Sequence, residues 1–307
     1  MTESARSPAP SLSPVPLMDE MAQQITPAGT LYVVSTPIGN LGDITVRALH
    51  VLGLVDAIAC EDTRNTAQML GRYGLNKPLI AAHEHNEREV AEKLIARLHA
   101  GERIALVSDA GTPAVSDPGA RIVDAVRSAG LRVLPLPGAS AVLTALAASG
   151  LVNDTFHFIG FLPAKAKQRE TLLTSLRQCA ATLVFYEAPH RIADTLEALT
   201  TIFEPERQIV LGRELTKLFE EIHRCTVAEA AVWINENAHR QRGEFVLLVE
   251  GASVARDQDQ AEAERILGIL LAECSVKQAA GLAAQITGQK KNALYESALR
   301  MKDGQEN

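Results

Sequence analysis

The sequence predicts an α/β fold: two successive α/β domains followed by a small C-terminal all-α module of helix-turn-helix type. Three observations predict it. From Leu31 to Ala148, short apolar runs without polar alternation take turns with helix-compatible stretches, as expected for strands buried on both faces of a parallel sheet. From Phe156 to Gly251 strand-like and helical segments continue in a changed rhythm. After Ala252 the strand-like runs cease, and SVKQAAGLAAQITGQKKNALYESAL shows two short helical patterns divided at Thr287-Gly288.

Taken in order, residues 1–27 are rich in Pro and Ser, lack periodicity and hold no apolar core long enough for a signal peptide, so a disordered tail is expected. The first domain is expected over 28–149. Strand LYVVS precedes a helix near Ile44–Leu54, AIACE precedes Thr63–Tyr73, and PLIAA precedes Glu87–Ala100. Ile104–Val107 then leads into a loop and a helix, and RVLPL into Val142–Ala148, with Gly150–Asp154 as a connector. The second domain is expected over 150–252. It runs FHFIGF, a polar helix Lys165–Gln178, TLVFYEA, a helix from Pro189, QIVLGREL, another helix and EFVLLVEG. Residues 253–260 read as a linker and 261–302 as the helical module.

A chain of 307 residues with 47% hydrophobic content exceeds one average domain and can fill real cores. Its four cysteines lie far apart with no CxxC pair, which points away from disulfide frameworks and zinc sites and fits a reducing cytoplasm. The net charge of −7 excludes a chain that coats nucleic acid without discrimination, so an RNA partner would have to be recognised locally. The helical end is the place for that: from Ser275 to Lys302, Lys277, Lys290, Lys291, Arg300 and Lys302 face only Glu296, a net of +4. Pro135, Pro137 and Gly138 interrupt the apolar stretch Val133–Val152, leaving nothing long enough to span a bilayer, and a soluble protein without a membrane partner is expected.

The chain is organised around Ile104–Ile122, IALVSDAGTPAVSDPGARI, read as strand, ligand loop and helix. In open α/β sheets ligands bind at strand carboxyl ends. Gly111 would let backbone approach a ligand, Pro113 and Pro118 would stiffen the path, and Ser116 or Asp117 would cap the next helix. Three further turns join it on one rim: Thr36-Pro37-Ile38-Gly39-Asn40, Glu61-Asp62-Thr63-Arg64 and Pro137-Gly138-Ala139-Ser140-Ala141. Neither GxGxxG after the first strand nor GxxxxGK[ST] is present, so phosphate-rich cofactors lose ground. His83-Glu84-His85 reads as a polar strand end without a third ligand, and no metal is expected.

The blocks STPIGNLGDITVRAL, CEDTRNT, SDAGTPAVSDPG, LPGASA, FYEAPHRI and GRELTKLFEE, in this order, resemble the ribosomal RNA small-subunit ribose 2′-O-methyltransferases of the tetrapyrrole-methylase superfamily. The resemblance runs from about Gly29 to Gly251, and the helical tail is similar to the module that follows in that family. It implies two α/β domains of the tetrapyrrole-methylase type, a homodimer, and S-adenosyl-L-methionine held folded between domains. Carried onto this sequence, the cofactor pocket would use Pro37, Gly39, Asp109, Ala110, Gly111, Thr112, Pro113, Ser116, Pro137, Gly138, Ala139, Ser140 and Ala141, with Tyr186, Glu187 and Ala188 from the second domain. A ligand with a sulfonium, an ammonium, a carboxylate and an adenine wants backbone groups and an apolar slot rather than a phosphate cradle.

The implied reaction moves a methyl group to the ribose 2′-hydroxyl of a cytidine in ribosomal RNA of the small subunit. A neutral hydroxyl is a poor nucleophile and needs alignment plus help with its proton. The candidates are Glu61, Asp62, Arg64, Glu187, Arg213, Glu214 and Lys217, although Glu61 with Arg64 and Glu214 with Lys217 also suit surface pairs at helical spacing. A tetrapyrrole C-methyltransferase would share fold and cofactor, but the EDTR and GRELTK blocks and the basic tail speak against it. An inactive ribosome-assembly RNA-binding protein fits the intact rim of loops poorly.

Overall fold

The computed structural model describes residues 20, 21 and 23–303, so residues 1–19 and 22 of the expected N-terminal tail lie outside the described residues. The chain divides into two compact units, Met1–Ala148 with Gly212–Glu221, and Ser149–Leu211 with Ile222–Asn307.

The first unit holds β1 (Thr30–Val34), α1 (Val46–Leu54), β2 (Ala57–Cys60), α2 (Thr63–Arg72), β3 (Leu79–Ala81), α3 (Glu87–His99), β4 (Arg103–Val107), α4 (Ala120–Ser128), β5 (Arg132–Leu136) and α5 (Ala141–Ser149), whose last residue falls in the second unit. The five strands are ordered β3-β2-β4-β1-β5 and every pair is parallel. The unalternated apolar runs have a direct cause: both faces are covered. Tyr32, Val34, Ile58, Cys60, Ala105 and Val107 pack with Ala48, Val51 and Leu52 of α1 and Leu70 of α2. Their sequence neighbours Leu31, Ala59, Ile104 and Leu106 point the other way, onto Val90, Leu94 and Leu98 of α3 and Ile122 and Val126 of α4. In this order β1 lies between β4 and β5, so the loops after all three strands leave the sheet side by side.

The second unit contains β6 (Phe156–Phe161), α6 (Ala166–Leu176), β7 (Thr182–Glu187), α7 (Ile192–Ile202), β8 (Gln208–Arg213) and β9 (Glu221–Thr226), whose residues Gly212, Arg213 and Glu221 fall in the first unit, α8 (Val227–Asn235) and β10 (Phe245–Val249). Its sheet runs β6-β7-β10-β8-β9, with β6 parallel and β10 antiparallel to β7. Leu183, Phe185, Ile209, Leu211, Phe245 and Leu247 bury one face against α6, α7 and α8. The sequence reading put a helix straight after QIVLGREL. The structure inserts β9 first, and α8 starts at a capping box in which Thr226 Oγ1 and Glu229 satisfy each other's backbone.

Residues 253–260, expected as a linker, are instead the opening turns of α9 (Ser253–Glu273). Their polar Gln, Asp and Arg contain no Gly or Pro to stop a helix. α10 (Val276–Thr287) begins at a Ser275–Gln278 capping box and ends at Gly288, whose φ of 73° is the left-handed turn a glycine accepts readily. α11 (Lys291–Asp303) closes a small core of Leu267, Leu294 and the alanines 263, 279, 280, 283 and 298. Among the described residues no helix is long and apolar enough to cross a membrane.

Candidate active site

The loops after β1 and β4 are joined by backbone. Thr36 N–H donates to Gly111 O at 2.8 Å, Gly111 N–H donates to Thr36 O at 3.0 Å, and Thr36 Oγ1 donates to Ser108 O at 3.0 Å. Gly111 sits at φ 77°, which an L side chain rarely adopts. The β5 loop joins through hydroxyls: Thr112 Oγ1 donates to Ala139 O at 3.2 Å and lies 2.9 Å from Ser35 Oγ, which therefore donates to it. The β2 loop joins through Asp109. Its Oδ1 accepts Asp62 N–H at 3.2 Å and its Oδ2 accepts Asn65 Nδ2 at 2.8 Å. Four turns far apart in sequence thus form one hydrogen-bonded rim within the first unit.

The rim is built from strained as well as exposed pieces. Ala114 and Ser116 have φ of 68° and 60°, a left-handed conformation that costs about 1–2 kcal/mol per non-glycine residue. Gly39, Asp109, Ala110, Ser116, Pro137 and Gly138 are exposed, and Thr112, Ala139, Ser140 and Ala141 half-buried. Pro37, Gly111 and Pro113 are buried, so their part is to set the loop path. The expected cap by Ser116 or Asp117 does not occur. Gly119 occupies the N-cap of α4, and the buried Glu87 accepts its N–H at 2.6 Å from the start of the neighbouring helix.

Charge on the rim differs from a simple pairing of carboxylates and cations. Asp62 caps α2 through Arg64 N–H and pairs with the exposed Arg64 guanidinium at 2.8 Å, and that hydrogen bonding pulls its carboxyl down to about 2. Arg64 therefore belongs to Asp62 and not to Glu61. Burial pushes the Glu61 carboxyl up, and the negative charges of Asp109, Asp62 and Glu84 push it further. Asp117, read from sequence only as a cap, is the second perturbed acid: burial raises it to about 6 against a Ser108 hydrogen bond that lowers it, with Glu61 and Asp109 adding to the rise. A Ser-Asp-Pro-Gly loop read for chemistry as well as for turns would have flagged it.

The GRELTK block also lies in the first unit, as a turn after β8. Glu214 and Thr216 adopt φ of 50° and 67°. Lys217 Nζ lies 2.8 Å from Glu214 Oε1, and Arg213 Nε lies 3.3 Å from Glu221 Oε2. Lys217 packs its stem on the backbone of Gly39. In the second unit, Glu187 is buried and fully engaged: it accepts Thr195 Oγ1 at 2.6 Å and Ala188 N–H at 2.9 Å, and lies 3.2 Å from Arg191 Nε. That set anchors the start of α7, which accounts for Glu187 structurally. Tyr186 meets the edges of Phe158 and Phe161 at 5.0 and 5.5 Å. His83 and His85 stand in the turn between β3 and α3 rather than on a strand, with ring centroids 6.2 Å apart. Among the described residues no three His, Cys, Asp or Glu side chains are grouped to hold a metal.

A five-stranded parallel sheet with a loop rim at its carboxyl edge, joined to a mixed sheet and a helical module, defines the class of protein. The chain belongs to the tetrapyrrole (corrin/porphyrin) methylase family, whose profile matches residues 30–231. A second profile, the RsmI C-terminal HTH domain, matches residues 257–302. The chain is 51% identical over 271 residues to ribosomal RNA small subunit methyltransferase I of Escherichia coli O157:H7, covering 88% of this chain and 95% of that one. The protein of the same name from Pseudomonas aeruginosa is 49% identical over 275 residues, covering 89% and 98%. Solved structures share the fold: the methyltransferase CobJ has a TM-score of 0.56 at 22% identity, covering 74% of this chain and 95% of that one. Uroporphyrin-III C-methyltransferase from Thermus thermophilus, crystallised with S-adenosyl homocysteine, has 0.52 at 18% identity, covering 74% and 99%.

Proposed function

We propose that this protein is an S-adenosyl-L-methionine-dependent methyltransferase that modifies the ribose 2′-hydroxyl of a cytidine in small-subunit ribosomal RNA. One observation carries the reading: proteins named ribosomal RNA small subunit methyltransferase I match this chain at about half identity over 88% and 89% of its length, and the C-terminal profile matches residues 257–302. That module separates the chain from tetrapyrrole C-methyltransferases, which have no evident use for a helix-turn-helix with a net charge of +4 from Ser275 to Lys302. A homodimer acting on the small subunit in the cytoplasm completes the proposal.

The rim fits the cofactor. Ala110 and Gly138 are exposed small residues just beyond the ends of β4 and β5, and the exposed Asp109 next to Ala110 offers a carboxylate to a cationic ligand. Asp109, Ala110, Thr112, Ser116 and Pro137 to Ala141 would hold it, with the buried Pro37, Gly111 and Pro113 setting the loop path beneath. When bound, the cofactor supplies an activated methyl group. The protein's own groups then handle the acceptor. Glu61 is the better proton acceptor of the two EDTR carboxylates, because its affinity for a proton is raised while that of Asp62 is held at about 2. Lys217, Arg213 and Arg64 supply positive charge for RNA phosphate or a developing alkoxide. Single-stranded or splayed RNA lets a sugar reach such a rim, whereas a duplex hides it.

Mass-spectrometric mapping of ribose methylation in small-subunit ribosomal RNA, with and without the protein, tests the reading. Loss of one 2′-O-methylcytidine is the expected result. An unchanged map, or a methyl group on the base, overturns it.

A further inference from the structure

Gly39 lies at the tip of the β1 loop, and the residues facing it come from the GRELTK turn. A β-carbon built on Gly39 would stand 2.4 Å from Lys217 Cγ, 3.0 Å from Lys217 Cε and 3.1 Å from Thr216 Oγ1. Real β-carbons do not approach a neighbour at 2.4 Å, so the Lys217 stem lies where any side chain at position 39 would have to be. The Gly39 backbone is outside the left-handed region that favours glycine, so its conformation gives no reason for the missing side chain. The opposing turn has little freedom to retreat: Glu214 and Thr216 are already left-handed, Lys217 N–H donates to Glu214 O at 3.0 Å, and Thr216 N–H donates to Glu220 Oε2 at 2.5 Å. With the backbone held, the part that yields to a methyl group is the Lys217 side chain, whose ammonium is fixed at the far end by Glu214 at 2.8 Å.

We infer that Gly39 is a positioning residue for Lys217: by having no side chain it lets the lysine stem lie along the β1 loop, and with Glu214 it fixes where the ammonium stands. The inference rests on the role given to Lys217 in the proposed reaction. It also gives Gly39 a different task from the cofactor contact that the family resemblance implies, because the space over its α-carbon is taken by protein.

The test is a double-mutant cycle in the full-length protein with Gly39→Ala, Lys217→Ala and the pair, reading single-turnover methyl transfer to small-subunit ribosomal RNA and calorimetric affinity for S-adenosylmethionine. Gly39→Ala should lower the transfer rate roughly 10- to 100-fold, as expected for a displaced group, with cofactor affinity unchanged. In the Lys217→Ala background the same substitution should cost little, because the clash with the lysine stem is gone and only the 3.1 Å approach to Thr216 Oγ1 remains. A merely structural defect would persist in the pair. Should Gly39→Ala fail to fold, recovery of folding in the pair supports the contact and continued failure overturns it. Normal transfer in Gly39→Ala beside slow transfer in Lys217→Ala defeats the positioning role and leaves the proposed function standing. Equal losses in both backgrounds mark a merely structural defect, and weakened cofactor binding returns Gly39 to the cofactor; either result defeats the positioning role. Normal transfer in Lys217→Ala removes the lysine from the reaction and the inference with it.

Discussion

Gly138 and Ser35, just beyond the ends of the neighbouring strands β5 and β1, meet so closely that a β-carbon on Gly138 would stand 2.6 Å from that of Ser35. The glycine that the family resemblance puts in the cofactor pocket is thus already required by close approach to protein. Ser35 in turn donates to Thr112, so one crowded contact holds the loops after β1, β4 and β5 in register.

Gly138→Ala should therefore destabilise the first unit as an overpacked site does, by about 1–3 kcal/mol. Ser35→Gly in the same chain should recover part of the loss by removing the opposing β-carbon. Urea unfolding of the two single variants and the pair decides it. If the losses simply add, the two residues do not meet as described.

The acid on the same rim makes stability depend on pH. Asp117 holds its proton up to about 6 in the folded protein, against 3.8 for an ordinary aspartate. Between those values the folded state binds more protons than the unfolded chain, so this group's contribution falls as pH rises from about 4 to about 6 and is flat above. A dry carboxyl would lose at most about 3 kcal/mol over that range, and water reaching the half-buried Asp117 brings the expected loss nearer to about 1 kcal/mol. Asp117→Asn should remove this fall, leaving the variant more stable than the parent at pH 7.5 and similar to it at pH 4. Parallel stability curves for the two proteins would show that Asp117 titrates normally.

Much of this rim is legible in the sequence because its signals are local. Apolar runs that stop at Ser35, Cys60, Ser108 and Leu136 mark strand ends, and Gly, Pro and Asp mark the turns that follow. What the sequence hides is non-local or carried by polar residues. β9 reads EIHRCT, an edge strand with half-buried and exposed positions alternating at its start, and offers no apolar run to detect. Residues 253–260 are polar enough to pass for a linker, yet nothing in them breaks a helix. Spacing places Glu61 and Arg64 at helical distance, but Arg64 turns back onto the capping carboxylate of its own helix. Nor could pattern reveal that Lys217 lies on Gly39, since the two meet only after the GRELTK turn has joined the first unit.

The basic tail should bind RNA phosphate, with its salt dependence as the signature. Lys277, Lys290, Lys291 and Arg300 are exposed on α10, α11 and the turn between them. Lys290 pairs with Asp154, so it must exchange a carboxylate for a phosphate and should count for less than the others. Replacing Lys277, Lys291 and Arg300 with Gln should weaken RNA binding at low salt and flatten the slope of log K against log salt by roughly 0.7–0.9 for each phosphate no longer neutralised. Cofactor affinity should not change. An unaltered slope would confine the module to packing.

The reaction itself is tested at the two ends of the rim, where structure separates residues that the sequence groups. Asp62 is too acidic to take a proton from a hydroxyl and is committed to capping α2, so Asp62→Asn, which preserves a good cap, should leave turnover close to normal. Glu61 carries no such duty and its raised proton affinity suits a base, so Glu61→Gln should lower turnover by about 10²–10⁴ while cofactor affinity holds. Arg64→Ala and Lys217→Ala should also slow transfer, since each removes positive charge expected to face the acceptor. For Arg64 the loss should shrink as salt rises, because an exposed cation acts on RNA through a field that salt screens. Lys217 is only partly exposed and should be less sensitive. Rates for all four variants at two salt concentrations distinguish base, clamp and cap in one experiment. Normal turnover in Glu61→Gln, Arg64→Ala and Lys217→Ala together would remove the chemistry from this rim.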